Sequence, residues 1–280
     1  MVADSDGLSA VRELPFFDDL KIFEFNEANK SAARNHGIAE AAGEIVAFID
    51  DDVVPEPTWL NYLTAVFRDT DAAATVGFVI GRNGISFQWR ARSVDVFGEA
   101  AALEVAEDQI SVLTPPNSRA IKTEGTNMAL RRDVIVLMGG FDPAFRFYLD
   151  ETDGNFWLMY PCHRTAIAPL TQVHHGYKAS ATRWSDRVPT GLFEIGASLA
   201  VYLLKHASGN FETLACARHE QRQQALRHMV NGLIEPRDVR RLLASFEKGG
   251  CGWQIARDRG HARDSKRRNR IPTDGALSFK

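Results

Sequence analysis

The segment from Glu44 to Leu60, EIVAFIDDDVVPEPTWL, constrains the fold of this chain more than any other. Ile45 to Ile49 form an apolar run of strand length, and Val46, Phe48 and Ile49 are residue types that favour extended backbone. A run apolar on both faces predicts a parallel strand buried between two helix layers. Asp50, Asp51 and Asp52 follow at its end, with no basic residue nearby to neutralise them. Pro55 and Pro57 then stop the strand, and Trp59, Leu60, Leu63 and Phe67 predict the apolar stripe of a helix. In open α/β sheets, ligands collect just beyond the carboxyl ends of the strands. Carboxylates crowded there repel one another, and a divalent cation is the natural counter-charge.

The rest of the chain extends this pattern. Lys21 to Phe25 reads as a short strand, Asn29 to Ala42 as a helix ended by Gly43, and Ala72 to Ile80 as a strand closed by Gly81. Residues 83–119 have weak periodicity and predict a variable insertion or a long loop. A strand through Met128 to Leu130 leads to a short helix capped by Asp133 and broken at Gly139-Gly140. Phe145 to Leu149 then runs into Asp150, Glu151 and Asp153, and Thr165 to Val173 is a strand ending at His174-His175. Helices are expected over 190–207, 211–231 and 236–247. Alternating strands and helices followed by helices alone define an α/β class with a C-terminal helical extension. The expected divisions are 1–180, 181–248 and a disordered basic tail, 249–280.

Charge and cysteine usage narrow the partners. The net charge is −3, but Arg257 to Arg270 carry +5, leaving −8 on the remainder. An acidic body argues against nucleic acid as the main partner. Cys162, Cys216 and Cys251 are scattered and lack metal-site spacing, so they read as reduced thiols. No signal peptide is visible, and the apolar run Leu192 to Leu204 is short and contains Glu194. These features predict a cytoplasmic chain. The basic tail and the apolar face of the helix at Gly191 to His206 leave room for peripheral contact at the inner face of a membrane.

Polar groups cluster at three strand ends: Asp50/Asp52, Asp150/Glu151/Asp153 and His174/His175. Two acidic groups and an imidazole fit a metal-dependent transfer site, one group holding a metal on a diphosphate and the other supplying a base.

The runs NKSAARNHGIAEAAGEIVAFIDDDVVPEPTWL, EGTNMALRRDVIVLMGGFD, YLDETD and VHH occur in that order and together resemble the family 2 glycosyltransferases of the GT-A fold, over roughly residues 22 to 178. The resemblance implies a GT-A-like, mostly parallel sheet flanked by helices. It also implies an inverting transfer of sugar from a nucleotide-diphosphate sugar to a carbohydrate or lipid-linked acceptor, dependent on Mn²⁺ or Mg²⁺. By the same resemblance Asp50 and Asp51 face the donor, Asp52 binds the metal, and Arg34 contacts the nucleotide. His174 or His175 lies close to the metal. Glu151 is the base, and Asp150 orients the loop or contacts the acceptor.

This sequence departs from the family pattern in two places. The usual opening strand, turn and helix have no counterpart, so a first βα unit is missing from the expected fold. Only VADSDGLS, with Asp4 or Asp6 as the nucleotide-contacting acid, is similar to the end of the family's second strand. The family's ED element reads DE here, with Gly154-Asn155 where Leu is common. Two alternatives accompany the transferase reading. One is a non-catalytic, truncated transferase-like binding module. The other is a haloacid-dehalogenase-type phosphohydrolase with Asp50 as nucleophile, although the later elements of that family are not clear here.

Overall fold

Apolar runs set the long strands, and polar side chains cap the first two α-helices. The structure, a computed structural model, describes residues 1–116, 118–176, 183–184, 188–210 and 212–258, with side chains as far as Cys251. In chain order the elements are β1 (Val2–Ala3), α1 (Ser5–Arg12), a short 3-10 helix (Phe17–Asp19), β2 (Phe23–Glu24), α2 (Lys30–Glu40), β3 (Ile45–Ile49), β4 (Val53–Pro55), α3 (Trp59–Asp69) and β5 (Ala74–Ile80). There follow β6 (Phe87–Trp89), β7 (Arg92–Asp95), β8 (Ala100–Ala102), β9 (Ser111–Leu113), β10 (Arg119–Lys122), β11 (Asn127–Arg131), α4 (Arg132–Met138), α5 (Asp150–Met159), β12 (Thr165–His175), α6 (Phe193–His206), α7 (Glu212–Val230) and α8 (Pro236–Asp258). They fall into two compact units, Met1–Thr190 and Gly191–Lys280.

In the first unit a seven-stranded sheet runs β3-β11-β5-β12-β4, with β6 added to β5 and β9 to β12. The long strands β3, β5 and β12 share one direction, and β11 runs against them between β3 and β5. Every residue of β5 is buried, which explains its uninterrupted apolar run. Ile38, Val134, Ile135, Met138, Phe141 and Leu158, from α2, α4, α5 and the turn after α4, pack on one face over Val46, Met128 and Leu130. On the other face Leu63, Val66 and Phe67 of α3 cover Ala129, Ala166 and Ala168. The small residues let α3 lie close to the sheet. Each large apolar side chain buried here contributes roughly 1.5–3 kcal/mol.

Local chemistry accounts for the helix ends. The Asn29 side chain accepts the Ala32 N–H at 3.1 Å and caps α2. Gly139 ends α4 with φ of 82°, a left-handed conformation that costs glycine little. At the C-terminus of α3, Arg131 of β11 donates to the carbonyl oxygens of Phe67, Thr70 and Ala72 at 2.8–3.0 Å, satisfying groups the helix leaves open. In the second unit the apolar face of α6, including Leu199, Tyr202 and Leu203, is buried. There the Gly196 and Gly249 positions touch the backbone at Phe246 and Phe193, so α6 and α8 cross closely.

Several expectations require correction. β3 is not buried on both faces between parallel neighbours: among the described residues it pairs only with antiparallel β11, and Ala47 and Ile49 are exposed. An apolar run of this length thus serves an edge strand, where one side of the ladder is open. The stretch 83–119 is no loop. It forms β6 to β9 and enters β10, and β10-β7-β8 make a separate antiparallel sheet. Its β7–β8 turn is built by Asp95, whose side chain accepts the N–H groups of Phe97 and Glu99, with Gly98 at φ of 85°. Asp133 sits inside the first turn of α4, whose N-cap is Arg131. Helix α8 continues to Asp258, past the expected start of disorder at 249, and the rest of that expectation lies outside the described residues.

Candidate active site

The antiparallel course of β11 decides what meets at the sheet's functional edge. Because β11 runs against β3, its first residue, Asn127, pairs with Ile49, the last of β3. Thr126, just before β11, therefore stands beside Asp50, just after β3, and its hydroxyl donates to Asp50 Oδ2 at 2.9 Å. Asn127 is fully buried and ties the strands together. Its amide donates to the carbonyls of Phe78 and Thr171 at 3.1 and 2.8 Å, and its oxygen accepts Trp59 Nε1–H at 2.8 Å. Gly77 faces this staple, and a Cβ there would overlap Thr171 O and Asn127 Nδ2.

The acidic turn divides its side chains. Asp51 is exposed. Asp50 is not left without a counter-charge, as its local sequence implied: Lys30, in the first turn of α2, places Nζ 3.3 Å from Asp50 Oδ1. Burial works to raise the Asp50 carboxyl, but Lys30, the Thr126 hydroxyl and Arg34 outweigh it and hold the group below its ordinary value. Asp52 faces His175 across the end of β12, with both carboxylate oxygens 3.2 Å from His175 Nε2. The other imidazole nitrogen, Nδ1, lies 2.8 Å from Gln88 Oε1. Side chains alternate along a strand, so His174 turns the other way and pairs with Glu56, Nε2 to Oε1, at 2.6 Å.

The second acidic group begins α5. Leu149, immediately before it, is a non-glycine residue at φ of 66° with its side chain buried. Asp150 has 1 % of its side chain exposed and is bound by Arg34 Nη1, which is also 3.7 Å from Glu151 Oε2. Glu151 is the more accessible of the pair, at 13 %. Burial, then the adjacent Glu151, hold the Asp150 carboxyl well above its ordinary value. Burial also works to raise Glu151, but a hydrogen bond from Asp150 and the charges of Lys122, Arg34 and Lys30 keep it ionised well below its ordinary value. Lys122, at the end of β10, is a site residue the sequence reading missed. Burial works to lower its ammonium, yet Glu124, 3.3 Å away, and Glu151 outweigh that and raise it.

The structure redistributes the expected groups: Asp52 meets His175, Asp50 meets Lys30, Asp150 and Glu151 meet Arg34, and His174 is drawn off to Glu56. Asp4 and Asp6 stand at the β1–α1 junction, where Asp4 caps α1 by accepting the Gly7 N–H at 2.8 Å and Asp6 lies in the first turn.

Comparison with known proteins shows a likeness over part of the chain. Residues 7–141 match the sequence profile of the family described as glycosyl transferase family 2. The chain is 29% identical over 127 residues to the glucosyl-dolichyl phosphate glucuronosyltransferase of Haloferax volcanii, covering 45% of this chain and 38% of that protein. It is 30% identical over 188 residues to the succinoglycan biosynthesis protein ExoM of Rhizobium meliloti, covering 62% of this chain and 55% of the relative. A solved structure of GalNAc-T7 with UDP, GalNAc and Mn²⁺ superposes with a TM-score of 0.48 at 15% identity, covering 71% of this chain and 39% of that one. The chain spans about a third to just over half of the length of the curated relatives it matches. Residues 7–141, on an α/β fold, thus carry the sequence pattern of glycosyl transferase family 2, and the relatives that share it are named as glycosyltransferases or as a polysaccharide biosynthesis protein. No helix among the described residues is long and apolar enough to cross a membrane.

Proposed function

We propose that the chain transfers a sugar from a nucleotide-diphosphate sugar to a hydroxyl of a carbohydrate or lipid-linked acceptor, with inversion and with a divalent metal. The observation that supports this most is the pairing of a partly exposed Glu151 with a fully enclosed Asp150, in a site where α2 also places Lys30 on Asp50. Glu151 Oε accepts the acceptor's hydroxyl proton as the new bond to the anomeric carbon forms. The bond from that carbon to the diphosphate oxygen breaks at the opposite side. Asp150 is too enclosed to meet the acceptor and acts through its neighbour.

The donor side is read from Asp50, Asp51, Asp52 and His175. Among the described residues no three His, Cys, Asp or Glu side chains form a complete metal cage. Asp52 and His175 nevertheless offer converging oxygen and nitrogen donors, which fits an ion that takes its remaining ligands from substrate phosphates and water. Bound there, Mn²⁺ or Mg²⁺ would supply neutralisation of the charge on the diphosphate leaving group. The β7–β10 region, whose last strand packs against α5, is the natural wall for the acceptor.

A donor panel of UDP- and GDP-sugars, assayed with Mn²⁺ for sugar transfer, tests the reading. Glu151→Gln should abolish transfer while leaving nucleoside diphosphate binding intact, and Asp150→Asn should lose less. An inactive Asp150→Asn beside an active Glu151→Gln would move the base to Asp150. Diphosphate binding without transfer from any donor would favour a binding module.

A further inference from the structure

The resemblance gives Arg34 to the nucleotide, but its surroundings point inward. Its side chain is 8 % exposed, and Nη1 engages both Asp150 and Glu151. The guanidinium carbon lies 5.6 and 5.3 Å from the ring centroids of Phe48 and Phe141, so aromatic faces take the place of solvent. Nη2 is buried without a hydrogen-bond partner and lies against Gly125, where a Cβ would overlap it. The next residue, Asn35, fixes one of these walls. Its amide donates to Phe141 O and its oxygen accepts the Phe141 N–H, both at 2.7 Å. A guanidinium enclosed in this way can reach a nucleotide only by abandoning the carboxylates.

We propose that Arg34 is a positioning residue for the acid pair and not a nucleotide contact: its fork draws Asp150 inward, leaving Glu151 as the carboxylate turned to the acceptor. The proposal rests on the transferase reading of the same site. Two adjacent buried carboxylates cannot both stay ionised without cations. The charged groups facing the pair are Arg34 and Lys30 from α2 and Lys122 from β10, with Glu124 beyond Lys122 and Asp153 on α5 itself. Arg34 is among the charges that favour the ionised form of both carboxyls, so its loss makes each harder to ionise and Glu151 is ionised over a narrower pH range.

The test compares Arg34→Met, Arg34→Lys and Gly125→Ala, the last of which displaces the guanidinium while retaining its charge. Calorimetry with UDP and GDP in Mn²⁺ should give affinities within about twofold of the parent chain. In the donor panel, kcat of Arg34→Met should fall about 100-fold or more, the magnitude of a general-base contribution. The acid limb of its pH profile should move upward, with partial recovery of both in Arg34→Lys and the same direction of change in Gly125→Ala. Lost nucleotide affinity with unchanged kcat and pH profile would overturn the proposal. If Arg34→Met fails to fold, parental profiles in both other variants would overturn it equally. If the parent chain moves no sugar, the transferase reading fails on its own. Carboxyl NMR titration, assigned with Glu151→Gln, then decides whether Arg34 sets the pair: an upward shift on its removal supports this, and an unchanged titration refutes it.

Discussion

Asp52 and His175 meet 3.2 Å apart although 123 residues separate them, because β12 ends alongside the acidic turn that follows β3. Strand alternation sends the adjacent His174 to Glu56 instead, in a pair about 40 % exposed. His175→Ala should therefore weaken Mn²⁺-dependent binding of nucleoside diphosphate by about tenfold or more, about 1.4 kcal/mol. His174→Ala should leave it unchanged, since exposed pairs contribute little. Calorimetric titrations with and without chelator check this. Equal loss in both variants would refute the division of labour.

The acid pair gives folding stability an unusual pH dependence. Asp150 is raised, by burial first and then by Glu151, so its contribution is complete below its unfolded value of about 3.9 and is lost as pH rises through the raised one. Glu151 is depressed, so its contribution is present above about 4.3 and lost as pH falls through the lowered value. Stability should rise as pH falls from neutral toward about 4 and decline below it. Asp150→Asn removes the first limb and should equal or exceed the parent at neutral pH. Urea unfolding at closely spaced pH values measures it, and a parent profile flat above pH 4 would count against the coupling.

Asn127→Ala should cost about 3 kcal/mol, because it strips partners from Phe78 O, Thr171 O and Trp59 Nε1 in a dry interior. Unfolding monitored by tryptophan fluorescence tests this. A loss under about 1 kcal/mol would mean that water replaces the amide.

Arg131→Met offers a contrast remote from the acid groups. Its three bonds to the end of α3 predict a loss of roughly 1.5–3 kcal/mol in stability, with unchanged transfer kinetics well below the melting temperature. A large fall in kcat at full folding would tie α3 to the site in a way these contacts do not explain.

Much of this arrangement was legible in the sequence because local signals agreed. The apolar run into three aspartates, the start of the helix at Asn29 and the Gly139-Gly140 break lie where expected, while that helix ends at Glu40, short of Gly43. The counter-charges were not legible. Lys30 and Lys122 lie 20 and 29 residues from the acids they serve, and only chain reversal brings them there. The strands of residues 83–119 escaped notice because each has three or four residues, too short for alternation to stand out. The edge position of β3 was hidden for another reason: hydrophobicity records what a strand can bury, not which neighbours it acquires.

Lys30 and Arg34 are four residues apart on α2, hence one turn apart on the same face. One reaches the acid beyond β3 and the other the acid at the start of α5. The two chemical tasks therefore share a single mechanical support. A substitution that rotates or slides this helix alters both contacts together. Under the roles proposed above, donor preference and working pH would then be inherited as one trait, and separating them would require changes in β10 or in the acidic turn, outside the helix.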